Sequence, residues 1–149
     1  MSKNTKIIKG LHLVNAFLGI TFGLAAVVCT EKMASSLGIA FPQPSGLTEF
    51  RAMYGGVVLA CGIFFALAFK GFIDDKSGLW MSLLFYAVVA PSRLAGILMD
   101  GPQELHQYDF LIFESVLLVW SVVALKRLRA VQHLALQGDP KQTGTVRPR

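Results

Sequence analysis

The stretch Thr48–Phe69, TEFRAMYGGVVLACGIFFALAF, decides the fold. After Glu49 and Arg51 it carries no charge until Lys70. A helix of that length crosses a hydrocarbon core of about 30 Å. Lipid offers no partner to backbone N–H and C=O groups, so a spanning segment satisfies them internally as a helix.

Three more runs read the same way. They are Ile7–Cys29, Gly78–Met99 and Gln107–Leu125. The first is longer than the apolar region of an ordinary signal peptide, and no Ala-x-Ala site closes it. Hydrophobic residues make up 54% of the 149 positions and charged ones 15%, where a soluble domain carries about 25% charged. Mean hydropathy is +0.56. The charges gather between the apolar runs. The expected fold is therefore all-α: a four-transmembrane-helix bundle in one domain, residues 1–136, with a disordered cytoplasmic tail over 137–149.

Direction follows from Lys and Arg. Lys3, Lys6 and Lys9 precede the first span, Lys70 and Lys76 separate the second from the third, and Lys126, Arg127, Arg129, Lys141, Arg147 and Arg149 follow the fourth. Lys32 stands alone in the first-to-second connection, and the third-to-fourth has none. Eleven to one places both termini in the cytoplasm. The same distribution explains the net charge of +5 without nucleic acid, since no aromatic residues interleave with the basic ones for base stacking.

The connections differ. Lys70–Ser77 is short, which makes spans two and three antiparallel neighbours. Asp100-Gly101-Pro102 opens an outer turn. Glu31–Leu37 reads as a short interfacial helix in the first outer loop, and Phe41-Pro42-Gln43-Pro44 interrupts helix. Thr48 is the expected N-cap of the second span. Small residues spaced by four (Gly19 and Gly23; Ala52, Gly56 and Ala60; Ser92 and Gly96) suit close packing within the bundle before a dimer seam. Cys29 and Cys61 differ in depth by roughly 15–20 Å at the ~1.5 Å helical rise. A disulfide needs Cα atoms within about 7 Å, so both are expected as free thiols.

Charges inside a span are costly and usually functional or paired. Glu49, Arg51, Arg93 and Glu114 all fall in the outer half on this topology. Arg93 and Glu114 are symmetric about the Gln103–Glu104 turn, each about 10 Å below the outer surface. The Cβ of Arg93 tilts into the membrane, so it needs a partner at depth, and Glu114 supplies one. Arg51 tilts outward and can snorkel. Glu49 suits the first turn of a helix. Two Glu and two Arg also make a charge-neutral set. Tyr54 lies one turn below Arg51, Tyr86 shares a face with Arg93, Asn15 lies in the first span, and Pro91 is placed to kink the third. These residues either glue the helices together or line a polar pocket, with Glu49, Arg51, Tyr54, Tyr86, Arg93 and Glu114 as the ligand-binding candidates.

No cofactor or metal chemistry is legible. His12 and His106 lie at opposite depths, which excludes a bis-histidine haem. Glu-x-x-His pairs and zinc spacings are missing, as are nucleophile elbows and phosphate loops.

The segment Thr48-Glu49-Phe50-Arg51-Ala52-Met53-Tyr54-Gly55-Gly56, with Arg93-Leu94-Ala95-Gly96, Asp100-Gly101 and Glu114, resembles a family of small four-helix bacterial inner-membrane proteins catalogued as a domain of unknown function. The resemblance runs from about Ile7 to Leu125. It implies the four-span fold and a bacterial inner (cytoplasmic) membrane, and no activity. The leading expectation is a non-enzymatic protein that binds a quinone, isoprenoid or lipid, serves as accessory subunit of a membrane complex, or both. An alternative is a cofactor-free enzyme with Glu49 or Glu114 as acid/base. A weaker one is a dimeric transporter, although no inverted repeat is visible. Expected partners are membrane lipids, a lipophilic small molecule, and a second copy or a larger complex.

Overall fold

The computed structural model describes residues 3–101 and 104–137. Five helices follow in order: α1 (Lys3–Val28), α2 (Thr30–Ser36), α3 (Pro44–Lys70), α4 (Asp75–Asp100) and α5 (Leu105–Gln137). All but α2 are long and apolar enough to cross a membrane. No strand occurs among the described residues. The expected tail lies, beyond Gln137, outside the described residues, as do Pro102 and Gln103 of the expected outer turn.

α3 departs most from its sequence reading. It starts at Pro44, not at a Thr48 cap. Gln43 is the extended N-cap residue, and Pro44 takes the first helical position. Proline has no N–H to waste there, and its fixed φ suits the helix. Thr48 is therefore interior. Arg51–Val57 is then wound as a π-helix before α-geometry resumes at Val58. The segment that carries the family resemblance thus includes a rare winding, a type frequent at functional sites.

Local chemistry sets the tight connection after α3. Gly71 adopts φ +85° just past the helix end, a left-handed conformation that glycine takes without a Cβ clash. Asp74 then caps α4. Its Oδ1 accepts from the Ser77 N–H at 2.9 Å, and the Ser77 hydroxyl donates to Oδ2 at 2.6 Å. These bonds hold the Asp74 carboxyl below the usual carboxylate range.

The bundle is built from two pairs. α1 packs closely on α3, and α4 packs on α5. Glycines permit the first contact: a Cβ on Gly19 would lie 2.6 Å from Gly62 Cα, and one on Gly23 would lie 2.6 Å from Leu59 N. That stripe packs within the bundle, as expected. The stripe of Ala52, Gly56 and Ala60 does not; all three face away from the protein. Its direction corrects the expectation of packing within the bundle. The π-helix turns Gly55 toward α1 instead, where a Cβ would meet Val27 Cγ2 at 2.5 Å.

The two pairs share a core at the end where α1 starts and α5 finishes. Ile8, Leu11, Leu79, Leu117 and Leu125 meet there. A second core, Ala26, Ala34 and Phe50 with Met33, Leu37, Ile39 and Phe41 against it, closes the far end of the first pair. Between these clusters the pairs part. The outward surface is apolar, with Phe17, Val28, Leu84, Val88, Leu98 and Val119 exposed, as lipid contact requires. Cys29 and Cys61 are free thiols.

Candidate functional site

The gap between the helix pairs is a cavity of about 820 Å³. Its apolar wall includes Leu18, Phe22, Val58, Phe65, Phe85 and Phe110. Its polar positions are Asn15, Thr21, Tyr54, Tyr86, Arg93, Gln107 and Glu114. Leu37 and Ile39, from the α2 end, border it.

Arg93 and Glu114 meet across α4 and α5, as the symmetry of their hairpin requires. Arg93 Nε donates to Glu114 Oε2 at 2.9 Å, and Nη2 donates to Oε1 at 2.7 Å. This is a fork-to-fork pair, which fixes both side chains in one plane. Arg93 Nη1 donates to Gln107 Oε1 at 2.6 Å. The ring of Phe110 lies 5.2 Å from the guanidinium carbon. Glu114 is 8% exposed. An ionised carboxylate at that depth is tolerable because its charge is matched.

A second polar chain crosses the bundle beside the pair. The Tyr86 hydroxyl donates to Asn15 Oδ1 at 2.7 Å. Asn15 Nδ2 donates to Ser82 Oγ at 3.0 Å. Ser82 and Ser121 hydroxyls lie 2.7 Å apart, and Ser121 donates to Leu117 C=O at 2.7 Å. Because Ser121 spends its proton on that carbonyl, Ser82 is the donor between the two. The chain therefore has one direction, Tyr86 to Asn15 to Ser82 to Ser121. It ties α1 to α4 and α5.

The remaining expected site residues separate. Tyr54 borders the cavity and stacks on Phe50, ring centroids 4.6 Å apart. Arg51 does not line the cavity; its Nε donates to Thr30 Oγ1 at 2.9 Å, tying α3 to α2. Glu49 is exposed on α3. The neutral set of two Glu and two Arg is not assembled. Arg93 and Glu114 form half of it, and Arg51 uses a hydroxyl. The π-winding accounts for part of this, because it changes which faces of α3 point inward.

Sequence reasoning passed over Gln107, Ser82 and Ser121. The signal was present as spacing. Gln107, Glu114 and Ser121 recur every seven residues on α5, and Ser82, Tyr86 and Arg93 follow at four and seven on α4. Such positions share a helix face. It also passed over a cluster at the opposite end of the bundle. Lys9 Nζ lies 3.0 Å from Asp75 Oδ1 and donates to Ala68 C=O at 2.8 Å. His12, fully buried, lies with Nε2 3.6 Å from the same oxygen. Among the described residues no three of His, Cys, Asp and Glu come together in a way that would hold a metal ion.

The chain belongs to the family described as Domain of unknown function (DUF4345), whose match spans residues 7–125. The match includes every residue that lines the cavity. Comparison with curated proteins and with solved structures returns no match.

Proposed function

We propose that this DUF4345 member is a small multi-pass protein of a bacterial cytoplasmic membrane that binds one lipophilic molecule between its helix pairs. Both termini face the cytoplasm in this reading, α2 lies in the opposite interface, and the Arg93–Glu114 pair sits in the outer half of the membrane. The basic residues flanking the start of α1, the α3–α4 connection and the end of α5 support that orientation.

The cavity is the observation that carries the proposal. Ligand sites run to about 300–1,000 Å³, mostly apolar with a few convergent polar groups, and this one fits that description. A space of this size between apolar helices admits a lipid chain or a dedicated ligand.

A non-enzymatic role suits the charges. Glu114 is engaged by Arg93 at both oxygens, and Glu49 lies away from the cavity, so neither is poised to exchange a proton with a ligand there. The outward stripe of Ala52, Gly56 and Ala60 supports an accessory-subunit reading as well, because small residues let a partner helix approach closely.

Native mass spectrometry of the gently solubilised protein tests the binding reading. The wild type should carry one lipophilic adduct. Cys61→Trp, which places an indole in the cavity wall, should lose it. Equal retention by both proteins would contradict the proposal.

A further inference from the structure

We infer that the cavity selects an uncharged headgroup presenting acceptor oxygens, a carbonyl on a hydrophobic tail, and rejects anionic lipids of equal tail length. The inference rests on the binding reading above and adds the chemical class of the ligand.

Charge comes first. Arg93 and Glu114 are the charged residues among those lining the cavity, and they neutralise one another through two hydrogen bonds. A lone arginine at this depth would invite a phosphate or carboxylate. Here the carboxylate is already supplied by the chain. An entering anion would have to displace Glu114 or remain uncompensated in an apolar site, and both are costly.

Hydrogen-bond supply comes second. A guanidinium has five N–H donors, and Arg93 commits one each from Nε, Nη1 and Nη2. That leaves two uncommitted. Asn15 Nδ2 uses one of its two N–H groups on Ser82. Tyr54 also borders the cavity. On the acceptor side, the Tyr86 oxygen keeps its lone pairs after donating to Asn15. These unspent N–H groups of Arg93 and Asn15 find no partner in a lipid tail, and the ligand that satisfies them brings acceptor oxygens. Quinone and ester carbonyls share that chemistry. The flanking Phe85 and Phe110 rings suit either a flat ring or an acyl chain.

Cys61 provides the readout, because it lines the cavity whereas Cys29 is exposed. In a Cys29→Ser background, the full-length protein in neutral-lipid nanodiscs is treated with N-ethylmaleimide, and the rate of Cys61 labelling is followed. Three decyl-chain probes compete: a fully ring-substituted benzoquinone, an alkyl ester and decyl phosphate. The quinone, the ester or both should slow labelling at concentrations about tenfold or more below those decyl phosphate needs. Whichever carbonyl probe protects identifies the source. Glu114→Gln removes the internal counter-charge while keeping an amide acceptor, and should reverse the preference toward decyl phosphate. If decyl phosphate protects the wild-type cavity as well as the carbonyl probes do, the headgroup inference fails while the binding reading stands. If no probe protects Cys61, both fail. Should Glu114→Gln not yield a monodisperse protein, the order of the three probes on the wild-type cavity decides the question by itself.

Discussion

At the scale of single residues, the Arg93–Glu114 pair governs the far half of the bundle. Its two direct hydrogen bonds, at 2.9 and 2.7 Å, leave neither charge exposed to lipid alone. Removing one partner is therefore worse than removing both. Glu114→Ala should destabilise the protein by about 3 kcal/mol, since it strands the guanidinium. Glu114→Gln should cost about 1–1.5 kcal/mol, because an amide still accepts. An Arg93→Leu/Glu114→Leu double variant should fall between wild type and Glu114→Ala. Thermal unfolding in one detergent ranks the three, and a double variant less stable than Glu114→Ala contradicts the pairing argument. This pair is legible in the sequence, because hairpin symmetry fixes relative depth. Arg51 was not. Its partner is the Thr30 hydroxyl on α2, and nothing in the spacing of the chain aligns a residue of α3 with one particular threonine across the loop.

At the scale of elements, glycine and proline decide most of the geometry. α1 and α3 approach so closely at Gly19 and Gly62 that each leaves no room for a Cβ on the other. Gly62→Val should cost about 1–3 kcal/mol by overpacking, read as a lowered melting temperature. Gly56→Ala, where the nearest atom to a new Cβ is 3.8 Å away, should be near neutral. Equal effects would contradict the assigned seam. The start of α4 carries a pH-dependent contribution. Hydrogen bonds from Ser77 depress the Asp74 carboxyl, so its stabilising effect is present above the ordinary carboxylate value. It is lost as pH falls through the depressed one. Asp74→Ala should therefore lower the melting temperature at neutral pH, and the gap to wild type should close under acid conditions. The π-winding at Arg51–Val57 was beyond sequence reading, because local propensity and hydrophobic period do not distinguish it from α-helix. Within it, Gly55 lies against α1 at Val27 and Tyr54 borders the cavity.

At the scale of the whole molecule, apolar run length announced four long helices, and lipid physics made the helix assignment safe. Counting Lys and Arg supports an orientation with both termini inside. Reporter fusions at the α3–α4 connection and after α5 should read as cytoplasmic, and one after α4 as external; the reverse pattern would invert the proposed topology. The division into two helix pairs was not legible. Apolar spans look alike in sequence, and which pair packs tightly depends on where glycine notches coincide across helices distant in the chain. The cavity is the product of that division, with its polar wall supplied by α1, α3, α4 and α5. Its occupant is the point on which the functional account stands. A density map of the protein in nanodiscs prepared from its native membrane tests this most directly. The account predicts an elongated non-protein density between the pairs, its head beside Asn15, Tyr86 and Arg93. Helix pairs closed on one another, with Tyr54 packed against Phe85 and no space between them, would contradict it.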